Sequence, residues 1–185
     1  MRNDNARVVV PEREIATRVA SMAGEITAAY ADSGEGITIV AILTGSLVFL
    51  ADLIRCMPMR IRIALVAASS YAGKTTESRG ARLEYAILPD LCNCDVLIVD
   101  DILDTGGTLR SVQDLVRSGR PRSVRTAVLL RKRDVAPQDI PVDFVGFDIE
   151  DEFVIGYGLD YDGLYRNLPY IGVLKSEFHE RERAS

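Results

Sequence analysis

Hydrophobic positions fall into two alternating patterns along this chain. Ile37 to Leu43 is apolar at every position but Thr38, Val96 to Val99 at every position, and Ser123 to Leu130 closes on Ala127-Val128-Leu129-Leu130. Such runs mark strands buried on both faces, as in a parallel sheet. Between them the apolar residues recur at helical spacing. Ile15, Val19, Met22, Ile26 and Tyr30 predict a helix from Pro11 to about Ala31. Its first turn carries a proline, and Glu12 and Glu14 sit at the positive end of the dipole. Leu47, Leu50, Leu53 and Ile54 predict a helix to Cys56. Leu109, Val112, Leu115 and Val116 predict one to Ser118, ended by Gly119 and Pro121. Further strands are expected over Ile61–Ala67, Arg82–Leu88, Val142–Phe147, Phe153–Tyr157 and Ile171–Leu174.

Strands alternating with helices over the first two-thirds predict an α/β fold with a doubly wound, mostly parallel sheet. The irregular final third, about residues 134–176, is expected to form a small hood over the carboxyl edge of that sheet and to hold part of the ligand site. A single domain over 1–185 is expected, since no repeat, linker or low-complexity segment interrupts the pattern. Residues 1–7 read as a loose polar tail. Residues 69–81 are polar, contain Gly73 and Gly80, and lack apolar periodicity. Composition alone weighs a mobile lid equally against a solvated hairpin end.

Candidate chemistry concentrates after the third buried strand. Val96 to Val99 leads into Asp100-Asp101, and then into Asp104-Thr105-Gly106-Gly107-Thr108 and a helix. Ligands of open α/β sheets bind at the carboxyl ends of strands. A glycine turn opening a helix offers free N–H groups to a phosphate. Two carboxylates beside a phosphate suit ribose hydroxyls, Mg²⁺, or both. The simpler alternative is a capped helix, with Asp104 or Thr105 satisfying the first N–H groups, but capping leaves Asp100-Asp101 without a purpose.

Composition adds limits. Net charge is −5 and the isoelectric point about 5.0, so no basic footprint for nucleic acid is expected. No apolar run approaches a membrane span, and the N-terminus lacks a signal-type run, so a cytoplasmic location is expected. Cys56, Cys92 and Cys94, an odd number without a secretion signal, fit reduced thiols; the distant His179 is the only histidine to join them in a zinc site.

The acidic strand tip with Asp104-Thr105-Gly106-Gly107-Thr108 resembles the phosphoribosyl diphosphate motif of the type I phosphoribosyltransferases. Four more segments, in order, are similar to the hypoxanthine-guanine branch of that family. They are Ile42 to Ser46 with the helix after it, Ser69-Ser70-Tyr71, Leu129-Leu130-Arg131-Lys132-Arg133, and Asp143 to Tyr161 followed by Arg166. The resemblance spans about residues 8 to 176. It implies a Mg²⁺-dependent transfer of phosphoribose to hypoxanthine or guanine, and a homodimer or homotetramer.

By the same resemblance, Thr105, Gly106, Gly107 and Thr108 hold the 5′-phosphate. Asp100 and Asp101 contact the ribose hydroxyls or waters on the metal. Thr44, Gly45 and Arg166 hold the diphosphate. Asp104 is the general base near the purine N7. Lys132 donates to the 6-oxo group; lysine has no acceptor and so disfavours a 6-amino group. Phe153 stacks on the base, Val154 and Asp160 face its edge, and Asp160 also binds a second Mg²⁺. Ser70 and Tyr71 open the mobile loop. Taken singly, Phe153 would be ordinary core, and Lys132 and Arg166 ordinary surface.

Two departures stand out. Relatives often carry lysine where this chain has Thr44, in a turn with a non-proline cis peptide, and Glu-Asp where it has Asp100-Asp101. A rival reading on the same fold is a nucleotide-sensing, RNA-binding regulator. The acidic charge, Lys132 and Asp104 weigh against it.

Overall fold

The computed structural model describes residues 5–69 and 82–175. In chain order the elements are β1 (Asn5–Val10), α1 (Glu12–Ala29), β2 (Ile37–Leu43), α2 (Leu47–Arg55), β3 (Ile61–Ser69) and β4 (Arg82–Ile87). They continue with β5 (Asp95–Leu103), α3 (Gly107–Ser118), β6 (Ser123–Lys132), β7 (Phe144–Ile149), β8 (Val154–Ile155) and β9 (Ile171–Leu174).

The larger sheet has six strands in the order β4-β3-β2-β5-β6-β7, with only β4 antiparallel to its neighbour. Strand alternation sorts its core onto two faces. Ile39, Ala41, Leu97 and Val99 pack with Ile15, Val19, Met22 and Ile26 of α1 and Phe49 and Leu53 of α2. Val40, Ile42, Val96 and Ile98 pack with Leu109, Val112 and Val116 of α3. Each fully buried aliphatic side chain contributes about 2 kcal/mol, so the central strands β2, β5 and β6 anchor the sheet. At the opposite end from the site, the buried Asp95 accepts hydrogen bonds from Arg122, Ser33 and Ser123. The Arg122 bonds come first among the causes that hold its carboxyl well below the usual range, against burial.

The remaining strands form a second sheet, β1-β9-β8, antiparallel throughout. Two expectations change here. The tail expected over 1–7 gives way to strand at Asn5, and Val10 of that strand is buried beside Ile171. The hood is therefore a sheet with an N-terminal member, and β7, expected within it, extends the main sheet beside β6. Pairing β1 with β9 joins the two ends of the described chain, which no local pattern reveals. Among the described residues no helix is long and apolar enough to cross a membrane.

Candidate active site

Three neighbouring strands, β2, β5 and β6, end side by side, and their carboxyl ends carry Thr44-Gly45, Asp100 to Thr108 and Lys132. The hood supplies Glu152, Phe153, Val154, Leu159, Asp160 and Arg166 to the same cleft, of about 600 Å³. Every described residue to which the sequence assigned a ligand lines it. Ser70 and Tyr71 lie outside the described residues.

Asp100 is 5% exposed and its neighbour Asp101 is partly exposed. Asp101 N–H donates to Asp100 Oδ1 at 3.0 Å, and Ile102 N–H to Asp101 Oδ1 at 2.9 Å. Burial pushes the Asp100 carboxyl up, and the adjacent Asp101 charge adds to it; burial also raises Asp101. Two adjacent like charges, one of them buried, call for a cation or for donors from a ligand. The Asp101 carboxylate rests on Gly45: a Cβ there would overlap its oxygen. The Leu43–Thr44 peptide is cis, as the resemblance implied for this turn.

α3 begins without a side-chain cap. Its N-cap is Gly106, at φ 77° and ψ 0°, with no side-chain capping hydrogen bond. The expected capping by Asp104 or Thr105 does not occur. Asp104 is instead drawn to Lys132, whose Nζ lies 2.9 Å from Asp104 Oδ2 and 2.8 Å from Asp151 Oδ1. The first N–H groups of α3 thus face a cleft bordered by Thr105 and Thr108, an arrangement suited to a phosphate.

The Lys132 side chain is only 12% exposed, so it is not surface. Burial pulls its ammonium down, but the bonds to Asp151 and Asp104 outweigh that and its pKa lies above the ordinary value. Phe153, conversely, is not core: it is 45% exposed beside the cleft and meets Tyr161 edge-on, centroids 5.6 Å apart. Arg166 donates from Nη1 to the Gly158 carbonyl at 2.6 Å and pairs through Nη2 with Asp160 at 2.8 Å. Asp160 also accepts from Gly163 N–H.

Sequence reasoning gave no role to Asp151, which shares Lys132 with Asp104, or to Glu152, which lines the cleft and pairs with Arg7 of β1. Both lie inside the segment that carried the resemblance, but neither has a spacing that betrays its partner. Among the described residues no three acidic, histidine or cysteine side chains form a metal site on their own. Mg²⁺ keeps several waters and is held by one or two carboxylates plus substrate phosphates. Asp100 with Asp101, without a cationic hydrogen-bond partner among the described residues, fits that kind of binding.

A six-stranded sheet with an acidic strand tip, an uncapped helix start and a hood over the cleft defines a class. Residues 9–162 match the family described as the phosphoribosyl transferase domain, and the chain belongs to it. Within that family it is similar to the hypoxanthine-guanine phosphoribosyltransferase of Staphylococcus epidermidis, at 44% identity over 98% of this chain and 100% of that protein. The hypoxanthine phosphoribosyltransferase of Salmonella typhimurium is 41% identical over 89% of this chain and 93% of its own length. The crystal structure of a hypoxanthine phosphoribosyltransferase from Staphylococcus aureus superposes with a TM-score of 0.89 at 39% identity, covering 97% of this chain and 96% of that one.

Proposed function

We propose that this chain transfers the phosphoribosyl group of phosphoribosyl diphosphate to hypoxanthine or guanine, giving IMP or GMP and diphosphate, as a purine-salvage enzyme of the cytoplasm. One observation carries the choice of base: Lys132, held between Asp104 and Asp151, stands in the same cleft as Phe153. An ammonium donates to a 6-oxo group and has nothing to accept from a 6-amino group.

In this reading the α3 N-terminus, with Thr105 and Thr108, holds the 5′-phosphate. Asp100 and Asp101 accept from the ribose hydroxyls or from metal-bound water, and Thr44, Gly45 and Arg166 hold the diphosphate. Phe153 packs on the purine ring, Val154 and Asp160 meet its edge, and Lys132 donates to O6. The bond from C1′ to the diphosphate oxygen breaks, the bond from C1′ to the purine nitrogen forms, and Asp104 takes the purine proton. Lys132 holds Asp104 in place before the base arrives. Bound Mg²⁺, with Asp100, Asp101 and Asp160 as its candidate ligands, supplies positive charge against the diphosphate. Thr44 offers no cation, so the turn it shares with Gly45 contributes backbone groups.

The resemblance also implies a homodimer or homotetramer. Ile63 and Ile87, 46% and 57% exposed on the neighbouring strands β3 and β4, support self-association. Light scattering checks this, and a monomer throughout would overturn it. The reaction itself is tested by following absorbance with hypoxanthine, guanine, xanthine and adenine in turn, with phosphoribosyl diphosphate and Mg²⁺. Turnover of a 6-oxopurine is expected from the wild type, with a loss of about 100-fold in Asp104→Ala. Folded wild type that converts adenine alone refutes the assignment of the base.

A further inference from the structure

Tyr157 occupies a conformation that a bulky side chain rarely adopts. It lies at φ 51° and is followed by Gly158 at φ 102°. Gly156 and Leu159 exchange backbone hydrogen bonds at 3.0 and 3.1 Å, which closes a two-residue hairpin turn with both central residues at positive φ. Such a turn favours asparagine or glycine at its first central position. Tyrosine there needs compensation from elsewhere, and the structure shows where it comes from.

The Tyr157 ring is buried, and its hydroxyl donates to Asp52 Oδ2 of α2 at 2.7 Å. Burial, with the Asp52 bond adding to it, keeps the phenol protonated far above the ordinary range, so it remains a donor at any working pH. The turn is also held from behind: Tyr157 N–H donates to Leu168 O at 2.8 Å and Gly158 N–H to Arg166 O at 3.0 Å. At its tip, Gly158 lies against the Gly45 carbonyl so closely that a Cβ would overlap it. Gly45 in turn carries the Asp101 carboxylate on its other side.

The flanks of this turn are the purine end of the cleft, Val154 on one side and Leu159 and Asp160 on the other. Its tip presses on the diphosphate end. We infer that Tyr157 is a positioning residue: its hydrogen bond to Asp52 seats the 156–159 turn against Gly45 and so fixes the diphosphate turn relative to the purine pocket. The inference rests on the proposed reaction and extends it to a residue outside the lining of the cleft.

The test uses the full chain and steady-state kinetics in both substrates. Tyr157→Phe keeps the ring and deletes only the hydroxyl, and Asp52→Ala deletes the acceptor. Each is expected to raise KM for phosphoribosyl diphosphate about 10-fold, with a smaller change in KM for the purine. Asp52→Asn retains an acceptor oxygen and is expected within about 2-fold of wild type. The double variant Tyr157→Phe/Asp52→Ala is expected to be no worse than Asp52→Ala alone, which already removes the same bond together with the exposed Arg55 pair of Asp52. A purely structural role would lower the melting temperature and leave the two KM values in their wild-type ratio. That ratio, or an Asp52→Asn variant as impaired as Asp52→Ala, overturns the inference while active wild type leaves the proposed reaction standing. Wild type that converts no 6-oxopurine overturns the reaction and this inference with it.

Discussion

Gly45→Ala isolates the junction between the diphosphate turn and the acidic strand tip. Gly45 is not among the glycines at positive φ, so alanine brings no backbone strain of that kind. What it brings is a methyl group in occupied space. The new Cβ would overlap Asp101 Oδ2 and lie 2.5 Å from Cγ, where ordinary contact begins at 3.4 Å. The Asp101 carboxylate must therefore retreat by about 1 Å at Cγ and by about 2 Å at Oδ2, into the cleft it borders. A misplacement of ~1 Å in a positioning group costs ~100-fold in rate, or about 2.7 kcal/mol of transition-state stabilisation. The expected result is a fall of that size in kcat/KM for phosphoribosyl diphosphate, with the melting temperature within about 2 °C of wild type. Steady-state kinetics with the donor varied at saturating hypoxanthine, beside a thermal melt, measures both. A well-folded Gly45→Ala protein within about 3-fold of wild type in kcat/KM would refute the placement of Asp101 against the diphosphate turn.

Lys132→Gln replaces a pure donor by a group that also accepts; hypoxanthine kcat/KM is expected to fall about 100-fold and the preference over adenine to shrink, read from parallel assays with the two bases. Asp100 holds its proton above the ordinary value of 3.8 in the folded protein, so its contribution to stability is full below that value and is lost as pH rises from there through the raised one. Asp100→Asn is accordingly expected to melt about 3 °C higher at neutral pH while losing donor affinity, and an unchanged melt would refute the buried-charge reading. Asp95 has the opposite sign: its stabilisation is present above the ordinary 3.8 and is lost as pH falls through the depressed value. Asp95→Ala is expected to cost about 2 kcal/mol at neutral pH, since Arg122, Ser33 and Ser123 lose their acceptor, and denaturant melts at pH 7 and pH 3 measure the difference.

What the sequence made legible follows the range of the interactions. β2, β5 and β6 were visible because two-sided burial leaves unbroken aliphatic runs, and the cleft residues at their ends came with them. Phe153 and Lys132, ambiguous as single residues, acquired places only through their order along the chain. The hood was read as irregular because β1 and β9 pair across almost the whole described length, and β8 has only Val154 and Ile155. The helix-capping alternative failed for an electrostatic reason: Asp104 is engaged by Lys132, 28 positions away, and not by the adjacent N–H groups. The Tyr157–Asp52 bond, between residues 105 positions apart, had no local signal beyond an unremarkable tyrosine beside a glycine.

Product formation by the unmodified chain tests the proposed reaction most directly. Purified protein is incubated with hypoxanthine, phosphoribosyl diphosphate and Mg²⁺, and nucleoside monophosphate and diphosphate are quantified together by anion-exchange chromatography. The expected result is IMP and diphosphate in equal amounts, neither forming when base or donor is omitted. Diphosphate release without nucleotide, or no product from hypoxanthine, guanine or xanthine, would contradict it.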